Sequence, residues 1–190
     1  NFWLNLGQNK RWKKSIHDML GLYSAIVVIS VAIPMTKLLL ILSHGGTALL
    51  GFALGIYLLP ILIEPPAPDL AKAEARLTHP LFTTEFNRQR KDSDALHWGE
   101  GQLRIYADAI IFEGNLAPGP DYRLYLAPKF VETEADFLAV KEQSVEIGAV
   151  RNFDGFVLTH SPAINAAQYT TAVVWCETFG QFITSGQYRP

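Results

Sequence analysis

From Leu38 to Ile63 the chain runs 26 residues (38–63) without an Asp, Glu, Lys or Arg. No other feature restricts the fold so strongly. At about 1.5 Å per residue the run makes a helix of roughly 39 Å. That crosses a bilayer core of about 30 Å with some tilt. It predicts a transmembrane helix over residues 37–64. Gly51 and Gly55 form a small-xxx-small pair, which suits close helix packing, though glycine is common in membrane helices anyway. His44 falls in the same run, where an ionisable group is expensive and often functional. It lies only a turn or two from the basic end, where the interface also accommodates it.

Residues 1–20 are polar, aromatic and basic, with Lys10, Arg11, Lys13 and Lys14 clustered. Residues 21–35 are apolar but short for a span, and Pro34 interrupts them. Only Thr36 and Lys37 separate this run from the long one, too little chain for a hairpin of spanning helices. Met35-Thr36-Lys37 before an apolar run resembles a bacterial start: methionine, a basic residue, then an anchor. Residues 1–36 are therefore expected to be a basic and apolar N-terminal extension, with the native start at Met35. Basic residues before the helix favour the cytoplasmic side. The expectation is a single-pass inner-membrane protein whose C-terminal domain faces the periplasm or the exterior. No Ala-x-Ala site follows the apolar run, so the helix is expected to persist as an anchor.

Residues 65–80 read as a spacer. Pro65, Pro66 and Pro68 enforce an extended start. Asp69 can cap a short helix ending near Thr78-His79-Pro80. Residues 81–190 then change to period two with turn clusters. Leu103–Ala107, part of Asp108–Glu113, Tyr122–Ala127, Ser144–Arg151, Phe156–Leu158, Tyr169–Cys176 and Phe179–Ser185 read as strands. Asn115–Pro120 is a turn cluster. Val131–Lys141 is acidic and helix-capable, an inserted short helix or loop. Six to eight short strands at this spacing predict an all-β sandwich or barrel.

Net charge is −2 and the isoelectric point about 6.2, which argues against a nucleic-acid partner. The single cysteine, Cys176, excludes an intrachain disulfide and a cysteine-only metal site. The chain has no Gly-x-Ser-x-Gly elbow, His-Glu-x-x-His, Cys-x-x-Cys or phosphate loop. That argues against a hydrolase or a nucleotide enzyme.

Cys176 admits two readings. It is a small buried hydrophobe, or it is a redox thiol or a ligand to a metal or haem iron. Alternation puts Val174 and Cys176 on one strand face and Val173, Trp175 and Glu177 on the other. His97 reads as an axial ligand or proton acceptor, or as a turn histidine satisfied by backbone. His160 carries a weaker signal, and His79, in the linker, carries none. Trp175, Tyr125, Phe156, Phe179 and Phe182 can relay electrons, though aromatics of this kind also fill β-domain interiors. Glu132, Glu134 and Asp136 form an acidic face that can hold a hard cation weakly.

An ordered set of pieces carries a resemblance. It begins with His97-Trp98-Gly99-Glu100-Gly101, then Phe112–Leu116, then Gly119-Pro120-Asp121 leading into Tyr122–Leu126. Ile147-Gly148, Tyr169 and Val174-Trp175-Cys176 follow, with Phe179 and Phe182. Residues 82–188 thereby resemble the DM-thirteen (DM13) electron-transfer domain family, and the anchor with its Pro-rich spacer resembles membrane-anchored bacterial members. The resemblance implies an extracytoplasmic β-domain with a redox or electron-transfer role centred on Cys176, with His97 as a further cofactor-binding candidate. Haem or a metal is a candidate cofactor. The donor or acceptor would be a separate redox partner protein. The alternative is a non-catalytic structural or protein-binding β-domain at the cell envelope.

Overall fold

The computed structural model describes residues 34–190. The Lys10–Lys14 cluster and nearly all of the expected N-terminal extension lie outside the described residues. The described residues fall into two units that divide between residues 51 and 52. Helix α1 (Met35–Leu62) is long and apolar enough to cross a membrane, and none of it is buried. In the first unit His44 Nδ1 lies 2.8 Å from the Leu40 carbonyl of its own helix, so its polarity is met locally.

In the second unit, Pro60 lies inside α1 and the helix runs only two residues further. The chain then enters Pro65 and Pro66, which cannot continue it. Two hydrogen bonds fix this exit. Phe153 N–H donates to Glu64 Oε1 at 2.8 Å, and Asn152 Nδ2 donates to the Pro65 carbonyl at 2.7 Å. Asp69 caps α2 (Leu70–Glu74) by accepting from Lys72 N–H at 2.9 Å. Helix α2 is shorter than its sequence suggested. A lone helix of this length is marginal, and Glu74 at its end accepts from Tyr106 Oη at 2.9 Å and forms an ion pair with Arg104, whose Nε lies 3.2 Å away.

Among the described residues, eight strands form two four-stranded antiparallel sheets. They are β1 (Phe82–Phe86), β2 (Gly99–Ile105), β3 (Ala109–Leu116), β4 (Tyr122–Ala127), β5 (Val145–Val150), β6 (Gly155–Thr159), β7 (Thr171–Cys176) and β8 (Gln181–Gln187). One sheet has the order β1-β2-β3-β6, the other β5-β4-β7-β8. The expected all-β class is what forms. At one seam Thr84 Oγ1 of β1 donates to the Gln187 carbonyl of β8 at 2.7 Å.

The main core lies between the sheets. Leu103, Ile110, Phe112, Leu124, Val174 and Ile183 are fully enclosed there. A second, smaller core covers the outer face of the β4–β7–β8 region. It is capped by helix α3 (Glu134–Leu138), whose Phe137 is buried while the neighbouring Leu138 is exposed. Strand β7 is therefore buried on both faces along its whole length.

Candidate functional site

Cys176 ends β7. Across the ladders it faces Tyr122, the first residue of β4, and Gln181, the first of β8. The turn Gly119-Pro120-Asp121 delivers Tyr122 to that position. Asp121 takes a φ of +48°, a left-handed conformation that Asp tolerates better than most side chains. Gly119 lies where any Cβ would strike the Tyr122 ring and hydroxyl, so its lack of a side chain lets the phenol fold back over the turn. The Pro120 carbonyl accepts from Cys176 Sγ at 3.0 Å. Cys176 is 2% exposed. Burial pushes its thiol above the ordinary range, outweighing the pull of the Phe179 and Thr178 N–H groups. Burial also pushes the Tyr122 phenol up. Both groups are neutral and protonated at physiological pH.

His97 arrives from the loop between β1 and β2. Asp94 organises it. One carboxylate oxygen accepts the N–H groups of Leu96 at 2.7 Å and His97 at 2.8 Å, and both oxygens lie 3.0 Å from His97 Nδ1. That contact assigns the ring proton to Nδ1 and leaves Nε2 with the free lone pair. The His97 hydrogen bond holds the Asp94 carboxyl below its usual range.

Cys176 and His97 line one cavity of about 270 Å³, together with Tyr57, Pro120, Tyr122 and Phe179. The two residues singled out from sequence are thus brought to one place. A larger cavity of about 550 Å³ adjoins it, lined by Leu59, Ile63, Val150 and Phe153 among others. The two share Ile56, Gly119, Pro120, Tyr122 and Phe179.

The aromatic candidates separate. Trp175, Tyr125 and Phe182 belong to the second core, on the far face of β7 from Cys176. Phe156 sits in the main core, 5.1 Å from the Phe112 ring centroid. Phe179 is half exposed and lines both cavities. His160 lines neither cavity, and its Nδ1 lies 3.1 Å from the Ser161 carbonyl.

On the far face a polar group closes the second core. Glu177 accepts from Tyr125 Oη at 2.5 Å and from Lys141 Nζ at 2.7 Å. Burial works to raise the Glu177 carboxyl, but Lys141 and Tyr125 hold it below its ordinary value. Burial and Glu177 together push the Tyr125 phenol up. The Lys141 ammonium lies 5.4 Å from the Trp175 ring centroid, within cation–π range.

The donor set tests the cofactor candidates. Among the described residues, no three His, Cys, Asp or Glu side chains are grouped to hold a metal ion, whereas protein zinc sites take three or four ligands. The acidic residues of the insert are otherwise engaged. Glu132 pairs with Lys91 at 3.0 Å, and Glu134 accepts from Gln181 at 3.0 Å. The residues present do not fit a protein-held metal ion.

Sequence reading missed Asp94 and Tyr122. Asp94 was legible in principle as a turn residue, because Asp commonly accepts from the backbone N–H two residues on, as it does here from Leu96. Tyr122 gave no such signal, since its role depends on Gly119 beneath it.

A family model described as Electron transfer DM13 matches residues 86–188. No curated protein and no solved structure matches the chain.

Proposed function

Since this chain belongs to the electron transfer DM13 family, we propose that it is a membrane-anchored redox domain whose reactive group is Cys176, assisted by His97. The observation that carries this reading is their convergence on one cavity. The thiol is the oxidisable group there. One-electron oxidation of the thiol by a separate acceptor would pass one electron to that acceptor and release the Sγ proton, now shared with the Pro120 carbonyl, leaving a thiyl radical; His97, with its Nδ1 proton held by Asp94, offers Nε2 in the same cavity as the base for that proton.

The anchor in this reading is α1, spanning once within residues 37–64. Residues 65–80 form the spacer, and residues 81–190 the β-domain. Lys37, in the first turn of α1, supports a periplasmic or external position for that domain. Its redox partner is a separate molecule.

A second reading, a structural or protein-binding module with an inert thiol, is favoured by one observation. Cys176 is nearly enclosed and its thiol is pushed up by burial, whereas reactive cysteines are usually exposed and low in pKa.

Two variants separate the readings. Protein-film voltammetry and melting are measured for the full chain, for Cys176→Ala and for Cys176→Ser. A redox thiol predicts loss of the signal in both variants with little change in melting temperature. An inert thiol predicts Ala near wild type, with Ser worse because it buries a hydroxyl.

A further inference from the structure

The two cavities differ in polarity, and they follow one another along α1. The smaller one meets the helix at Ala53, Ile56 and Tyr57, and no Asp, Glu, Lys or Arg lines it. The larger one meets the helix further on, at Ile56, Leu59, Pro60 and Ile63, and there Asp121, Arg123 and Arg151 join the lining. The β-domain thus turns from apolar to charged along α1, in the direction in which that helix would leave a bilayer. Tyr57 marks the change. Tyrosine is a residue type that settles at the headgroup level of membrane helices. Ile63 lies about 9 Å further along the axis.

Two exposed apolar side chains of the β-domain stand at the Tyr57 level, and both line the cavity that Tyr57 lines. Phe179 projects from the turn between β7 and β8 and is half exposed. Leu96 comes from the loop between β1 and β2, where Asp94 holds its N–H, and is 58% exposed. They sit on separate loops, so no single element accounts for both. Nearer the end of the helix, Asp121 and Glu146 share Arg123. Arg151 is exposed and forms no ion pair among the described residues. A protein partner has no reason to follow the polarity of α1. A bilayer that α1 enters imposes that order.

We propose that this end of the β-domain seats on the bilayer that α1 crosses. Phe179 and Leu96 enter the boundary between acyl chains and headgroups, and Arg123 and Arg151 lie on the headgroup side. The proposal rests on the membrane-anchored reading and deepens it. The spacer then does not hold the domain clear of the membrane, and the cavity beside Cys176 lies at the lipid surface.

The test uses the full chain in phosphatidylcholine nanodiscs, with Cys176→Ala as the background so that one introduced thiol carries a nitroxide. Labels are placed by Leu96→Cys and Phe179→Cys, with two references. Leu50→Cys lies within α1, and Asp108→Cys lies in the exposed turn between β2 and β3, at the opposite end of those strands from Gly99 and Leu116. Collisions with oxygen, which concentrates among acyl chains, are compared with collisions with a water-soluble nickel chelate. The Leu96 and Phe179 labels should shift from the nickel-dominated value of Asp108 toward the oxygen-dominated value of Leu50. Either label as open to nickel as that at Asp108 overturns the proposal. So does a label closed to both agents, which would mark a protein contact instead of lipid. The Leu50 label reports the anchor alone. Oxygen-dominated there, with Leu96 and Phe179 open to nickel, would sink the seat and leave the anchor standing. A nickel-dominated Leu50 label would sink both.

Discussion

Trp175 and Cys176 are adjacent in the chain but belong to different cores. Cys176 packs between the two sheets, while Trp175 packs under Phe137 on the outer face, with ring centroids 5.0 Å apart. Alternation along β7 produces the division, and the register shift between Val174 and Trp175 accompanies it. The two faces should therefore respond independently. Phe137→Ala should cost about 3–5 kcal/mol in denaturant unfolding, through lost burial and the cavity left over Trp175. Cys176→Ala should cost about 1 kcal/mol, because it removes one atom. A comparable loss from both would show that the outer core contributes little.

The Glu177 carboxyl makes a pH prediction. Its folded pKa lies below its ordinary value near 4.5. A depressed acid contributes stability that is present above its unfolded pKa and lost as pH falls through the folded one. Glu177→Gln should therefore lower stability by about 1 kcal/mol at neutral pH. It should also flatten the fall in stability below pH 4.5. Urea unfolding between neutral pH and pH 3 checks both effects, and curves for wild type and variant that stay parallel throughout would refute the assignment.

The Asp94–His97 contact predicts a tautomer. In the wild type, nitrogen chemical shifts should report a proton on His97 Nδ1 at a pH where the ring is neutral. Asp94→Asn should remove that bias and mobilise the 94–97 loop, because the carboxylate holds two backbone N–H groups as well as the ring. An unchanged Nδ1–H signal in the variant would show that other groups set the tautomer.

The anchor reading predicts retention of the protein in membranes through a carbonate wash. In spheroplasts, an impermeant protease should cut within residues 65–80 and release the β-domain. Protection of that segment until lysis would place the domain in the cytoplasm.

The helix and the β class were legible because each rests on a local pattern: an uncharged run in one case, period two in the other. The start of β2 was not. Gly101 and Gly114 face each other across β2 and β3, each so close that a Cβ on either would strike the opposite backbone. A strand that contains such a pair cannot alternate apolar and polar side chains there, so the reading began only at Leu103. The second core was also hidden. The run Thr171–Cys176 is almost continuously apolar, which suits a strand covered on both faces, but what covers the outer face lies 30–40 residues earlier in an acidic segment. Cys176 and His97 were found as residue types. Their shared cavity was not, because it depends on Tyr122 folding over Gly119 and on the last turns of α1.

The acidic insert that caps the second core has a consequence for the protein's colloidal behaviour. Beneath it lie Tyr125, Val173, Trp175 and Phe182 on adjoining strands, a contiguous apolar patch of the sort that makes exposed sheet faces stick to one another. The polar outer side of the insert, with Asp136 exposed and Glu132 paired with Lys91, covers that adhesive face with a hydrated one. Loosening the insert would leave the inter-sheet core in place and still produce self-association. For this domain, solubility can fail before the fold does.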